Sequence, residues 1–197
     1  MAETAAAAGR QILVTGATGF IGRHLIARLR AGGDAVIALS RQPTRAQALL
    51  GAGVRCVGDL ARLPRETRID AVVNLAGARI LGPPWTQARR QVLRESRLAT
   101  TRAVVALCAR LGKPPEVVLS ASAVGYYGVH GDEPLDETAP PQGIFQSRLC
   151  SDWEELAGTV GAASRVILLR LGVVLGRDGG ALPQLARPVR MGLGSVL

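Results

Sequence analysis

Short apolar runs alternate along the chain with stretches whose apolar residues recur every three or four positions. The runs cover residues 11–15, 35–40, 54–57, 71–75, 116–120 and 165–171, and most are rich in Val, Ile and Leu. Continuous apolar runs of this length suit strands buried on both faces. Helical periodicity covers residues 22–31, 44–50, 86–111 and 144–160. This alternation predicts an α/β fold: a parallel sheet with helices on both faces and right-handed crossovers. Six strands fit the doubly wound Rossmann order 3-2-1-4-5-6. Residues 11–197 are expected to form one dinucleotide-binding domain. Residues 1–10 hold only a four-alanine block behind Glu3 and are expected to be a disordered lead-in rather than a signal peptide.

In such a fold, ligands sit at the carboxyl ends of the strands. The first of these ends reads Thr15-Gly16-Ala17-Thr18-Gly19-Phe20-Ile21-Gly22. A strand, a glycine turn and a helix in succession aim backbone N–H groups at a phosphate, where the helix macrodipole favours negative charge. The three glycines have separate tasks. Gly16 allows the tight turn, Gly19 lets a pyrophosphate approach the backbone, and Gly22 lets the helix pack close to the strand. Glycine is common here, at 24 of 197 residues, so the flanking strand and helix carry the assignment rather than the spacing alone. Gly16, Thr18, Gly19, Phe20, Ile21 and Gly22 are the expected pyrophosphate contacts. Leu75, Ala76 and Gly77, at the end of the fourth strand, are expected to line the same nucleotide.

An acid at the end of the second strand would mark NAD(H) through the ribose 2′-OH. The sequence there is Ala38-Leu39-Ser40-Arg41-Gln42, with no acid. A hydroxyl beside a guanidinium suits a 2′-phosphate. NADP(H) is therefore the preferred cofactor, with Ser40 and Arg41 on its 2′-phosphate, and NAD(H) is a possible second.

Composition removes several other functions. Aromatics make up only 3% of the chain against 48% hydrophobic residues, so the core is aliphatic. The net charge is +9, but the cations are 23 Arg and one Lys, scattered and not interleaved with aromatics. They read as solvated charge, and no nucleic-acid partner is expected. No apolar run approaches the ~20 residues of a membrane span, so no membrane partner is expected either. Cys56, Cys108 and Cys150 lie far apart in apolar patterns, which points to a reducing, cytoplasmic compartment. No metal-ligand spacing involves them or His24 and His130. Both histidines fit solvated or capping roles.

Several segments together resemble the NAD-dependent epimerase/dehydratase superfamily, the extended short-chain dehydrogenases. They are the glycine turn, Asn74-Leu75-Ala76-Gly77, the stretch from Ser120 to Gly128, and Arg170 to Gly176. Trp85-Thr86, Ser96-Arg97, Asp136-Glu137 and Cys150-Ser151-Asp152-Trp153-Glu154 point to its atypical "epimerase family protein" branch. The resemblance implies a Ser, Tyr and Lys site with a supporting Asn, the last two catalytic residues as Tyr-x-x-x-Lys. Aligned on Glu154, Gln146 stands in place of the Tyr and Cys150 in place of the Lys. Arg97 stands in place of the Asn. The serine is Ser122, with Ser120 as the alternative. Tyr126 is the candidate acid–base group, with Tyr127 beside it, if Arg148 or Arg97 supplies a cation. Cys150, Trp153, Ala157 and Val160 share one apolar helix face, so Cys150 is expected to be a core residue.

The resemblance also implies a further C-terminal substrate region of about a hundred residues. Leu182, Leu185, Val189, Met191, Leu193, Val196 and Leu197 would pack under it. A homodimer through the helices at 86–111 and 144–160 is expected by analogy of fold. The expected activity is that of an NADP(H)-dependent oxidoreductase or epimerase on a small carbonyl, alcohol or nucleotide-sugar substrate. A dinucleotide-binding sensor or interaction protein with little catalysis remains the alternative.

Overall fold

Six strands pair in parallel: β1 (Gln11–Thr15), β2 (Ala35–Leu39), β3 (Val54–Val57), β4 (Ala71–Asn74), β5 (Val117–Ala123) and β6 (Arg165–Leu171). Their order is β3-β2-β1-β4-β5-β6, as the alternation predicts. The helices are α1 (Phe20–Ala31), α2 (Pro43–Leu50), α3 (Gln87–Arg110) and α4 (Phe145–Gly158). The computed structural model describes residues 9–193.

Strand alternation explains the continuous apolar runs. On β1, Leu13 enters one core with Ile37, Val72, Val104, Leu107 and Val118. Its neighbours Ile12 and Val14 enter the other with Ile26, Val36, Ala38 and Val54. Each strand therefore needs apolar residues at successive positions, not at every second one. A smaller cluster of Leu98, Ala121 and Trp153 joins α3 and α4 to β5 at the end that carries the site.

β5 runs to Ala123, beyond the expected stop at Ser120. The apolar signal ends there, but the small residues Ser120, Ala121, Ser122 and Ala123 continue the ladder with Leu168, Leu169, Arg170 and Leu171. Residues beyond β6 form a short antiparallel hairpin, β7 (Leu175–Gly176) and β8 (Gly179–Gly180), and then α5 (Leu182–Arg190). Neither is expected from the sequence. Two-residue strands carry no periodic signal, and Pro188 inside α5 masks the helix.

Residues 1–8 of the expected lead-in lie outside the described residues. Gly9 and Arg10 belong to the fold: Arg10 forms a forked pair with Asp34, and its carbonyl accepts from the Ala35 N–H. In the apolar tail, Val189, Met191 and Leu193 are exposed, and Val196 and Leu197 lie outside the described residues. Among the described residues no helix is long and apolar enough to cross a membrane.

Candidate functional site

The chain leaves β1 through Gly16, whose φ of +65° places it in the left-handed region. A Cβ at this position would lie 2.6 Å from the Leu75 carbonyl oxygen. The Gly19 N–H closes the turn on the Gly16 carbonyl at 2.9 Å, and α1 starts at Phe20. No side chain caps α1, and its first turn carries no acid. Its leading N–H groups are therefore open to an anion, and Thr18 and Gly19 are exposed beside them. Gly22 sits against the turn, where a Cβ would be 2.4 Å from the Gly16 oxygen. Phe20 opens α1 with its backbone, while its side chain points away from the turn. Its ring lies against Gly176 and Gly179 of the β7–β8 hairpin and is tilted on His24.

Beneath the turn lies a buried polar network. Thr15 Oγ1 donates to Asn74 Oδ1 at 2.6 Å and accepts from the Leu75 and Ala76 N–H groups. Asn74 Nδ2 donates to Thr101 and Ser120, and Trp153 Nε1 donates to Thr101 Oγ1 at 2.9 Å. Thr101 in turn donates to the Arg97 carbonyl. The network fixes the ends of β1 and β4, and with them Leu75, Ala76 and Gly77 beside the glycine turn. Ser120 is used here as a structural acceptor.

At the end of β2, Ser40 Oγ accepts from the Gln42 N–H at 3.2 Å. Arg41 is exposed, and no carboxylate lies within salt-bridge distance of it among the described residues. Asp59, the acid after β3, is turned to the Ala61 N–H and to Arg62.

A second buried network holds the end of β5. Ser122 is 3% exposed, and its hydroxyl donates to Glu154 Oε1 at 2.5 Å. Arg170, the β6 partner of Ser122, forms a fork with the same carboxylate, Nε to Oε1 and Nη2 to Oε2, both at 2.9 Å. Its Nη1 donates to the Tyr127 hydroxyl and the Glu137 carbonyl, each at 3.0 Å. The guanidinium also stacks 3.5 Å from the Tyr126 ring centre. The Glu154 contact holds Arg170 firmly protonated, its pKa raised above the usual arginine value.

This geometry corrects two expectations. The cation beside the tyrosines is Arg170, not Arg148 or Arg97. The phenol oxygen that meets it belongs to Tyr127, whereas Tyr126 presents its ring face. Glu154 and Arg170 were not read as site residues, yet their signal is visible: an acid on the apolar α4 face and a cation inside an apolar strand.

Cys150 is buried as expected, and burial pushes its thiol pKa upward. Gln146 lies beside Gly125. His24 contacts the Phe20 carbonyl, and His130 is held by Glu133 and the Tyr127 carbonyl. No His, Cys, Asp and Glu cluster fit for a metal occurs among the described residues.

The sequence profile of the NAD dependent epimerase/dehydratase family matches residues 12–196. The chain is 38% identical over 177 residues to the epimerase family protein SDR39U1 homolog, chloroplastic, of Arabidopsis thaliana, covering 87% of this chain and 51% of the relative. It is 36% identical over 187 residues to epimerase family protein SDR39U1 of Homo sapiens, covering 93% of this chain and 61% of the relative. The crystal structure of human epimerase family protein SDR39U1 (isoform2) with NADPH superposes with a TM-score of 0.80 and 36% identity, covering 94% of this chain and 61% of that one. MoeE5 in complex with UDP-glucuronic acid and NAD gives a TM-score of 0.73 at 29% identity, covering 91% and 60%. The chain thus spans 51–61% of the length of the two curated relatives.

Proposed function

The chain belongs to the NAD-dependent epimerase/dehydratase family, and on that premise we propose that it binds NADP(H) and acts as a short-chain-dehydrogenase-like oxidoreductase or epimerase on a carbonyl, alcohol or nucleotide-sugar substrate. The glycine turn fits a dinucleotide pyrophosphate: Gly16 and Gly22 pack the turn against backbone where no Cβ would fit, Gly19 is exposed at its mouth, and the start of α1 is uncapped. When bound, the nicotinamide supplies hydride transfer. Gly16, Thr18, Gly19, Phe20, Ile21 and Gly22 would hold the pyrophosphate. Leu75, Ala76 and Gly77 would line the nucleotide.

The observation that carries the NADP(H) preference is the end of β2, where Ser40 and an unpaired Arg41 stand and no acid does. The NADPH in the related human structure supports the same reading. Arg41→Ala is expected to weaken NADPH about tenfold or more while leaving NADH nearly unchanged, as loss of one charge-assisted phosphate contact requires. Fluorescence titration with both nucleotides measures this. Equal losses for the two would remove Arg41 from the 2′-phosphate.

Ser122 would orient the substrate oxygen. Its proton is already given to Glu154, so Ser122 offers lone pairs and favours a substrate hydroxyl as donor. The tyrosines at Arg170 are the acid–base candidates.

A second reading is nucleotide binding with little turnover. It is favoured by Gln146 and the buried, neutral Cys150 where the family places its Tyr and Lys. NADPH-loaded protein offered a panel of hydroxyl-bearing carbonyl compounds separates the two readings. Steady oxidation that disappears in Ser122→Ala supports the enzyme, and tight NADPH binding with no oxidation supports the sensor. The expected homodimer through α3 and α4 stays a proposal, which sedimentation of the purified chain tests.

A further inference from the structure

Two arginines of α3 lie beside the segment that follows β4, and among the described residues no acid lies within salt-bridge distance of either. Arg97 is 8% exposed. Its Nη1 donates to the Leu93 carbonyl at 2.9 Å and its Nη2 to the Ala78 carbonyl at 3.2 Å. Its guanidinium lies 5.2 Å from the Trp153 ring centre and directly beneath Gly77, where a Cβ would come within 3.0 Å of Cζ. Two turns earlier on the same helix, Arg89 donates from Nη2 to the Arg79 carbonyl. Its Nε is buried without a hydrogen-bond partner.

The two cations thus hang on consecutive carbonyls, Ala78 and Arg79, at the carboxyl end of the sheet. They sense one another, since the Arg89 charge adds to burial in lowering the Arg97 pKa. Nearby acids are engaged elsewhere: Glu95 with Arg102, Asp152 with Arg94 and Glu154 with Arg170. Glu155 is exposed. Cys150 is the remaining group that would offset Arg97 if ionised, and burial keeps it a thiol.

Holding the buried Arg97 guanidinium beside the half-buried Arg89 without an anion is costly, and a clamp on two carbonyls needs only neutral donors. A guanidinium with a free, buried Nε is instead half of a fork made for two oxygens. We propose that Arg89 and Arg97 form an oxyanion subsite at the end of β4, which takes the carboxylate or phosphate group of a small ligand. That this anion belongs to the substrate rests on the dinucleotide reading. That anions bind there does not.

The test is calorimetric titration of the nucleotide-free and the NADPH-loaded chain with malonate and with inorganic phosphate, at ionic strength held constant with sodium chloride. Saturable binding of one of them is expected, weakened about tenfold or more in Arg89→Met. It should be unchanged in Arg102→Met, which removes an exposed cation of the same helix. Preference for malonate identifies a carboxylate ligand, and preference for phosphate a phosphorylated one. Absence of saturable binding, or equal affinity in Arg89→Met, overturns the subsite. Arg97→Met, checked by circular dichroism, should behave as Arg89→Met does. Should it fail to fold, Arg89→Met still decides. NADPH binding without anion binding defeats the subsite alone, and anion binding without NADPH binding defeats the nucleotide reading alone.

Discussion

Arg170→Met is expected to destabilise the fold by about 3–5 kcal/mol, because it strands a buried carboxylate. Glu154 is 8% exposed and would keep only the Ser122 hydroxyl as a donor. The Arg170 side chain is 17% exposed, so some water reaches the site and the lower end of that range is the expected value. The same substitution frees the Tyr127 hydroxyl and the Glu137 carbonyl, which loosens the loop after β5. Arg170→Met combined with Glu154→Leu should recover most of the loss, since an apolar pair of similar volume replaces a buried ion pair at little cost. Urea unfolding of both variants measures the cycle. A loss below about 1 kcal/mol in the single variant would mean that the pair behaves like a surface salt bridge.

The glycine turn makes the other large prediction, and it separates fold from ligand. Gly22 lies inside α1, where alanine is intrinsically favoured by about 1 kcal/mol. Packing opposes this preference, because the new Cβ would sit 2.4 Å from the Gly16 oxygen and 2.9 Å from Ala17 Cα. These are backbone atoms and cannot swing aside. Packing should win, with Gly22→Ala destabilising by about 1–3 kcal/mol and weakening NADPH through a displaced helix start. At Gly19 a Cβ meets only the Gly16 oxygen, at 3.1 Å, and φ is not positive. Gly19→Ala should therefore leave stability within about 1 kcal/mol of wild type, yet weaken NADPH about a hundredfold by blocking the phosphate approach. Thermal unfolding and nucleotide titration on both variants check the contrast. Intact NADPH binding in Gly19→Ala would remove the pyrophosphate from this turn.

Much of the sheet was legible because both faces of each strand are buried. The limits of β1, β3 and β6 coincide with the apolar runs at 11–15, 54–57 and 165–171. β5 outruns its apolar signal because Ser120 and Ser122 look like the end of a strand. Only the neighbouring strand and the two polar networks show that hydroxyls are welcome there. The glycine turn was legible because its chemistry is local. The Ser122, Glu154 and Arg170 cluster was not, because its members come from three elements and meet only through the crossover that brings β6 beside β5. Tyr126 and Tyr127 adjoin in sequence, so nothing local says which hydroxyl reaches the cation. The hairpin on Phe20 was hidden for a similar reason, since a contact between residues 20 and 176 leaves no periodic trace.

The Thr15 network also sets an order of assembly. Thr15 lies 59 residues from its partner Asn74, and Thr101 lies 52 residues from Trp153. Contacts this distant in sequence form late and slow the search for the native state. The glycine turn leaves the ribosome well before Asn74, Thr101 and Trp153, so its floor is complete only after Trp153 has emerged. Nascent chains arrested before that point should display the turn but fail to retain nucleotide, so the site matures from its far side inward.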